Sequence, residues 1–392
     1  EDEELNYFQG GLGVTWIDGV SYTTFSLTPD FSFGKFGVGL NIELLFNNTE
    51  GFQFRKEGWD KGAGILRAIR YLRYGYKREP FYVRVGTLDN ATLGHGFIMW
   101  HYSNESNYDE RKIGLEFDLD FNRFGFETVT SNLGNLEIIG SRLYYRPLLQ
   151  LSIPVIKDLE LGATYVTDES TADENNIGDG VSSWGLDIGL PIINSKLFYT
   201  NLYYDFAKIN HFGSGNAAGV EFGFPNIIGV FKLSAKLEKR FLGEQFLPSY
   251  FDALYELDRE LNKKATLQAV GSNEGIFGQL AGSIFGKLKI IGSYQRLNGV
   301  DYSGIMHFET RLQGLIPSIR LRATYDKVGI ESFDDITTLN HHSIATAEIG
   351  YRTMQFLMVS MIYRWNFVYD EEKKEYKPQE RVEPRISFVY EF

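Results

Sequence analysis

Apolar and polar side chains alternate, residue by residue, through many stretches of this chain. Residues 111–121 show it clearly, with an apolar face of Ile113, Leu115, Phe117, Leu119 and Phe121 and a polar face of Lys112, Glu116, Asp118 and Asp120. The same alternation occurs in residues 230–241, 319–327 and 357–369. A period of two predicts strands with one apolar and one polar face. Strands of about ten residues can cross a bilayer when they are tilted.

Short and long connectors alternate between these strands. Short turns fall at 34–37, 77–80, 122–125, 194–196, 225–229, 285–287 and 316–318, and longer polar segments at 47–65, 89–109, 167–182, 242–273, 330–341 and 370–381. This asymmetry is typical of transmembrane barrels. We therefore predict an all-β, antiparallel, up-and-down transmembrane β-barrel with an even number of strands. The number is about 18–20, and 20 if the Asp18-Gly19 turn closes a first hairpin.

A soluble β-sandwich would also alternate, but it rarely sustains this many strands without splitting into domains. The sequence shows no linker or break in composition, so residues 1–392 are expected to form a single transmembrane β-barrel domain. Residues 1–4, Glu-Asp-Glu-Glu, lack the character of a signal peptide, and we expect a chain that is already processed.

Composition narrows the class further. The chain is 43% hydrophobic with a mean hydropathy of −0.22, and it has no apolar run of the length that a membrane helix needs. Alternation hides the apolar residues of a barrel in this way. The net charge of −12 argues against a nucleic-acid partner. With no cysteine, disulfides and thiolate metal sites are excluded.

The last strand carries the most specific motif. Residues 386–392 place Ile386, Phe388, Tyr390 and Phe392 on one face and Ser387, Val389 and Glu391 on the other. Phe388, Tyr390 and Phe392 resemble the C-terminal insertion signal of bacterial outer-membrane β-barrels. By pattern, nearly the whole chain resembles the porin class of these proteins, although no subfamily is identifiable.

The resemblance implies a location and a set of partners. It implies the outer membrane of a Gram-negative-type bacterium, contact with outer-membrane lipids and lipopolysaccharide, and insertion by the barrel-assembly machinery. A homo-oligomer is compatible with the class. It implies no cofactor and no enzymatic activity.

The polar faces give the candidate lumen. The residues predicted to line the pore are Arg73, Arg84, Lys112, Glu116, Asp118, Arg142, Asp187, Asp205, Glu221, Arg320, Arg322, Arg352, Arg364 and Arg385. Cations concentrate around residues 320–385 and anions between about 116 and 221, which resembles the charged eyelet of general porins. The alternative is that these charges pair across strands and fill the barrel.

Two segments could narrow the lumen. Residues 86–108 are too apolar for a freely solvated loop, so we predict a constriction loop that folds into the barrel and carries His95, Phe97, Trp100 and His101. The alternative is a capped extracellular loop. Residues 248–263 predict the one helix of the chain, capped by Ser249. This helix could cover the pore mouth, dock a partner or pack on neighbouring loops.

Signals for metal binding and catalysis are weak. His341 and His342 are adjacent, so on a strand they would point to opposite faces. His95 and His101 have no carboxylate pair nearby at ligand spacing, and the acidic loop 168–179 lacks the ordered spacing of a calcium site. No metal site is predicted, and the chain has no G-x-S-x-G motif.

The functional expectation is a passive, water-filled channel for small hydrophilic solutes or ions. Two alternatives stay open. The first is a channel for hydrophobic compounds similar to the fatty-acid channels, in which residues 86–108 line an apolar pocket. The second is a non-conducting barrel that anchors a surface assembly.

Overall fold

The computed structural model describes residues 6–17, 20–49, 51–56, 59, 68–104, 112–151, 153–169, 180–260, 263–370 and 375–391. Within them, 23 strand segments belong to one antiparallel sheet. They are β1 Tyr7–Ile17, β2 Val20–Leu27, β3 Asp30–Phe33, β4 Phe36–Leu40, β5 Ile42–Asn47, β6 Gln53–Phe54, β7 Ile69–Tyr74, β8 Phe81–Gly86, β9 Gly114–Asp120, β10 Phe124–Thr130, β11 Ile138–Tyr145, β12 Glu160–Asp168, β13 Val181–Asn194, β14 Tyr199–Ile209, β15 Ser214–Ile227, β16 Phe231–Leu242, β17 Asn273–Ile284, β18 Leu288–Leu297, β19 Gly304–Leu312, β20 Ile319–Ile330, β21 Ser343–Met354, β22 Leu357–Asp370 and β23 Glu375–Glu391.

The sheet closes on itself. Strand β1 pairs with β2 through a ladder that reaches Ile17 and Val20, and on its other edge it pairs with β23. Some consecutive segments are two parts of one wall strand, because they pair with the same neighbour. Segments β2 and β3, for example, both pair with β1. The segments β2–β3, β4–β5 and β6–β7 each make one wall strand. The wall is a closed antiparallel barrel of 20 strands. This confirms the predicted even number and the first hairpin.

The barrel is apolar outside and polar inside. On β16, Leu237 is 54% exposed on the outer face, whereas the neighbouring inward residues Glu238 and Arg240 are buried. On β23, Phe388 is 50% exposed, and Arg385 and Ser387 beside it are buried. An apolar outer surface around an ionised interior suits hydrocarbon outside and water inside. The chain is therefore a transmembrane β-barrel, as predicted.

A row of aromatic rings follows the outer wall near the end of the barrel that carries the short turns. Ring centroids of Phe36 and Tyr74 lie 4.7 Å apart, those of Tyr74 and Phe81 5.6 Å, and those of Phe81 and Phe117 5.6 Å. These rings belong to four neighbouring wall strands. Such a row is typical of the girdle that transmembrane barrels place at the membrane–water interface.

The connectors follow the predicted asymmetry with two corrections. The connector between β11 and β12 lies at the short-turn end but runs over 146–159 and holds a 3-10 turn at Ile156–Asp158. The long loop predicted at 370–381 is mostly strand, because β22 and β23 stay paired as far as Asp370 and Glu375.

The helix prediction is wrong in detail. Three short helices occur in the described residues: α1 Tyr255–Glu260, α2 Lys263–Ala269 and α3 Phe333–Thr337. None of the three is long and apolar enough to cross a membrane. Ser249 caps no helix. Its N–H donates to the carbonyl of Phe97, so tertiary hydrogen bonds that local sequence signals do not report position the residues before α1.

Candidate functional site

Residues 87–104, the constriction loop, fold into the barrel. Leu88, Met99 and Tyr102 are fully buried. They belong to one apolar cluster with inward-facing wall residues from eight strands, including Ile138, Val166 and Ile209. The loop therefore packs on the inner wall. This confirms the predicted inward-folded loop, and the alternative of a capped extracellular loop is wrong.

A second segment, residues 246–257, packs against the constriction loop and is called here the brace. The N–H of Ser249 donates to Phe97 O (2.7 Å) and the N–H of Phe251 to Ile98 O (3.2 Å). In return the N–H of Trp100 donates to Phe251 O (3.0 Å). Phe251 also joins the buried apolar cluster. Of the three roles considered for this segment, packing on a neighbouring loop is the one observed.

Polar side chains fix the other edge of the loop–brace pair. The hydroxyl of Tyr102 donates to Glu256 of the brace. Lys112, just before β9, donates to the same Glu256 (2.8 Å) and to Glu137 (2.5 Å). Lys112 was predicted to line the pore, and the structure places it in this contact between connectors.

The tip of the constriction loop is polar and is tied to three wall strands. The N–H of Gly94 donates to Glu127 Oε2 on β10 at 3.0 Å. His95 Nδ1 lies 2.9 Å from Asp205 Oδ1 on β14. The carbonyl of His95 accepts from Lys236 on β16. These contacts hold the tip across the interior rather than against one strand.

The far edge of the loop meets an aromatic and imidazole cluster. Trp100 packs edge-on against Phe277 at 5.2 Å, and the rings of His101 and His307 lie 4.4 Å apart. His307 Nδ1 is 2.7 Å from Asp326 Oδ1 on β20. Burial lowers the pKa of His101 well below its ordinary value, and charge on His307 lowers that pKa further. His101 is therefore neutral at pH 7.

The wall under the loop tip carries a dense ionic network centred on Arg142. Its guanidinium donates to Asp187 (2.6 and 3.0 Å), Glu127 (3.1 Å) and Glu160 (2.8 Å). Arg142 is 3% exposed. The predicted acidic side of the lumen thus has a buried cation at its centre, and several of its charges pair across strands.

A second network joins the seam where the barrel closes. Arg381 and Arg385 on β23 both bond to Glu43 on β5, at 2.9 and 3.0 Å, and both bond to Glu383. All four side chains are buried. The sequence prediction named only Arg385. Glu43, Arg381 and Glu383 also lie on the inward faces of β5 and β23. Strict alternation along these two strands would have predicted them.

Cations also face one another without an intervening carboxylate. In register, Lys289 on β18 lies opposite Arg311 on β19, and Arg311 lies opposite Arg322 on β20. Glu348 on β21 is opposite Arg322 on its other side. All four residues are half-buried. Like charges directly opposite destabilise a sheet. This row, Lys289–Arg311–Arg322, is the cation row.

The predicted lumen residues differ in their contact with solvent. Arg73, Glu116, Arg142, Asp205, Arg320 and Arg385 are buried, and Arg84, Lys112, Asp118, Asp187, Glu221, Arg322, Arg352 and Arg364 are half-buried. Within the loop, Phe97, Trp100 and His101 are buried and His95 is half-buried. Of the insertion signal, Phe388 and Tyr390 are exposed on the outer face, and Phe392 lies outside the described residues.

Comparison with known proteins gives likenesses in structure alone. The chain is similar to OccK10 (OpdN) from Pseudomonas aeruginosa, with a TM-score of 0.35, 12% identity and coverage of 100% of both chains. It is similar to the outer membrane protein opdK from Pseudomonas aeruginosa, with a TM-score of 0.35, 12% identity and coverage of 99% of this chain and 96% of that one.

A third likeness, to CdiB from Acinetobacter baumannii, has a TM-score of 0.31 and 8% identity, and covers 99% of this chain but only 60% of that one. No protein-family model and no curated protein sequence matches the chain. Likenesses at these TM-scores carry no argument. The class, a transmembrane β-barrel, rests on the closed ladder and on its apolar outer face.

Proposed function

We propose that this chain is an outer-membrane porin, a passive, water-filled channel for small hydrophilic solutes or ions. One observation carries the proposal. The apolar cluster of the constriction loop packs on strands β10–β16 and β18, whereas Lys289, Arg311, Arg322 and Glu348 on strands β18–β21 stay half-buried. Solvent-accessible charges inside a barrel whose outside is apolar are typical of an aqueous path.

The apolar part of the loop argues against a channel for hydrophobic compounds. Phe97 and Met99 are buried against the brace and the inner wall, at 4% and 0% exposure. A path for hydrophobic solutes would need such side chains to face open space. Here Phe97 and Met99 pack against other side chains and face no open space. A conductance measurement distinguishes the porin from the second alternative, a non-conducting barrel that anchors an assembly.

The proposal includes the setting of the barrel. The chain would lie in the outer membrane of a Gram-negative-type bacterium, contact lipids and lipopolysaccharide with its apolar outer face, and be inserted by the barrel-assembly machinery through its last strand. Residues 1–392 would act as one domain without cofactor or catalysis. The proposal allows a homo-oligomer, because porins can form one, but does not require it.

Planar-bilayer recording of the purified protein tests this function. The expected result is stepwise, ohmic conductance in potassium chloride. Incorporation that is verified by protease protection but gives no current would refute the porin and favour the anchoring barrel. Current that is blocked by a long-chain fatty acid, but not by a small hydrophilic solute, would favour the hydrophobic-compound channel.

A further inference from the structure

Three potential metal ligands converge at the tip of the constriction loop. Asp187 on β13 and Asp205 on β14 are directly opposite in register. His95 arrives from the loop, 110 residues away from Asp205 in sequence. One ligand atom of each of the three residues lies within 4.8 Å of the others. No carboxylate pair near His95 in sequence announces this cluster, because the fold supplies both carboxylates from the far wall.

An unsatisfied acceptor points to a ligand at this place. Asp205 is 4% exposed, and its Oδ2 is buried without a hydrogen-bond partner. Four positions earlier on the same face of β14, Asn201 Oδ1 is also buried without a partner. A buried acceptor left unpaired costs about 1–3 kcal/mol, more when it is charged. Both oxygens would be satisfied by a bound cation.

The two acceptors lie beside the imidazole. A side chain added at Gly189 would approach both His95 Nε2 (3.5 Å) and Asn201 Nδ2 (3.7 Å), which places the amide and the imidazole at the same spot on the wall. Imidazole nitrogen and carboxylate oxygen together suit first-row divalent metals.

The local charges leave room for a divalent cation. Five carboxylates lie at or next to the cluster: Glu127, Glu160, Asp187, Asp205 and Glu238. Three cations are bonded to them: Arg142, Lys236 and Arg240. Arg146 and Asp120 add one charge of each sign. Two formal negative charges remain on these carboxylates after their bonded cations are counted.

We propose that His95, Asp187 and Asp205 bind one divalent transition-metal ion, with Zn²⁺ as the best match to one imidazole and two carboxylates. Arg142 holds Asp187 through two hydrogen bonds, which is how metal-binding carboxylates are oriented. Gly162 lies opposite Asp187 on β12. A Cβ there would come within 2.2 Å of Asp187 Oδ2, so only glycine lets the carboxylate lie where it does. The ion would fasten the loop tip to the wall.

Zinc binding to the chelator-treated, detergent-solubilised protein tests the site. The variants are His95→Gln and Asp205→Asn, with His341→Gln, in the connector before β21, as the matched control. We expect saturable binding of one Zn²⁺ per chain by equilibrium dialysis with metal analysis. Affinity should fall at least about tenfold in both site variants and stay unchanged in the control. With Co²⁺ as a spectroscopic probe, the visible absorption spectrum of His95→Gln should differ from that of the wild type.

Far-UV circular dichroism verifies that each variant is folded; His95 lies on a loop, so its change leaves the wall intact. The proposal would be overturned if the wild type bound no zinc, or if His95→Gln and Asp205→Asn bound it as tightly as the wild type. His95 and Asp205 would then form a simple ion pair. This binding assay is independent of the porin function. A silent barrel that binds zinc would refute the channel and keep the metal site.

Discussion

The brace should control how far the constriction loop closes the path, and Phe251 is its central side chain. Phe251 is fully buried, and its ring lies 4.7 Å from that of Tyr255. Phe251→Ala keeps the backbone hydrogen bonds to Ile98 and Trp100 but removes the ring. A buried Phe→Ala change costs about 3–5 kcal/mol. Since about 1.4 kcal/mol is a factor of ten, the ratio of displaced to seated loop should rise about 140- to 4,000-fold.

Single-channel recording measures this displacement. Phe251→Ala should give a larger mean conductance and more open-channel noise than the wild type. Phe241→Ala is the matched control, since Phe241 is a 42%-exposed residue on the outer face of β16. It should leave both quantities unchanged. A folded Phe251→Ala protein with wild-type conductance and noise would show that the loop and brace do not restrict the path.

Two further changes test the charged interior. Arg322→Glu should lower the chloride-to-potassium permeability ratio about 30-fold at low salt, because reversing one charge about 8 Å from a passing ion is worth about 1 kcal/mol in water for each ion, with opposite signs for chloride and potassium. An unchanged reversal potential would contradict the cation row. Arg142→Gln should lower the free energy of unfolding in urea by about 3–5 kcal/mol, since three carboxylates lose their buried cation. Arg123→Gln, an exposed arginine, should change it by less than about 1 kcal/mol, and equal effects would contradict the network.

The wall of this barrel was predictable because each strand reports its own orientation. Alternation along β16 and β23 assigns Leu237 and Phe388 to the outside and Glu238 and Arg385 to the inside without any knowledge of neighbours. The membrane requires one apolar face on every strand, so the signal repeats around the whole barrel. The inward fold of the constriction loop followed from the same logic, since Phe97–Trp100 needed cover.

The contents of the barrel were not predictable, because they depend on which strands meet. Ser249 looked like a helix cap, yet it bonds to the loop at Phe97, about 150 residues away. Adjacent His341 and His342 would point to opposite faces if they were on a strand, but they lie in a turn with ring centroids 3.9 Å apart. The approach of His95 to Asp205 has no local signature, since it depends on how deep the loop reaches.

Sidedness is the claim on which the channel depends, and spin labelling measures it directly. The chain has no cysteine, so each introduced cysteine is unique. Nitroxides at Leu237→Cys and Val359→Cys, in protein reconstituted in lipid vesicles, should be accessible to oxygen and shielded from a water-soluble nickel chelate. Nitroxides at Arg322→Cys and Glu348→Cys should show the opposite. Labels at Leu237 and Val359 that meet the nickel chelate, with those at Arg322 and Glu348 shielded from it, would contradict the account.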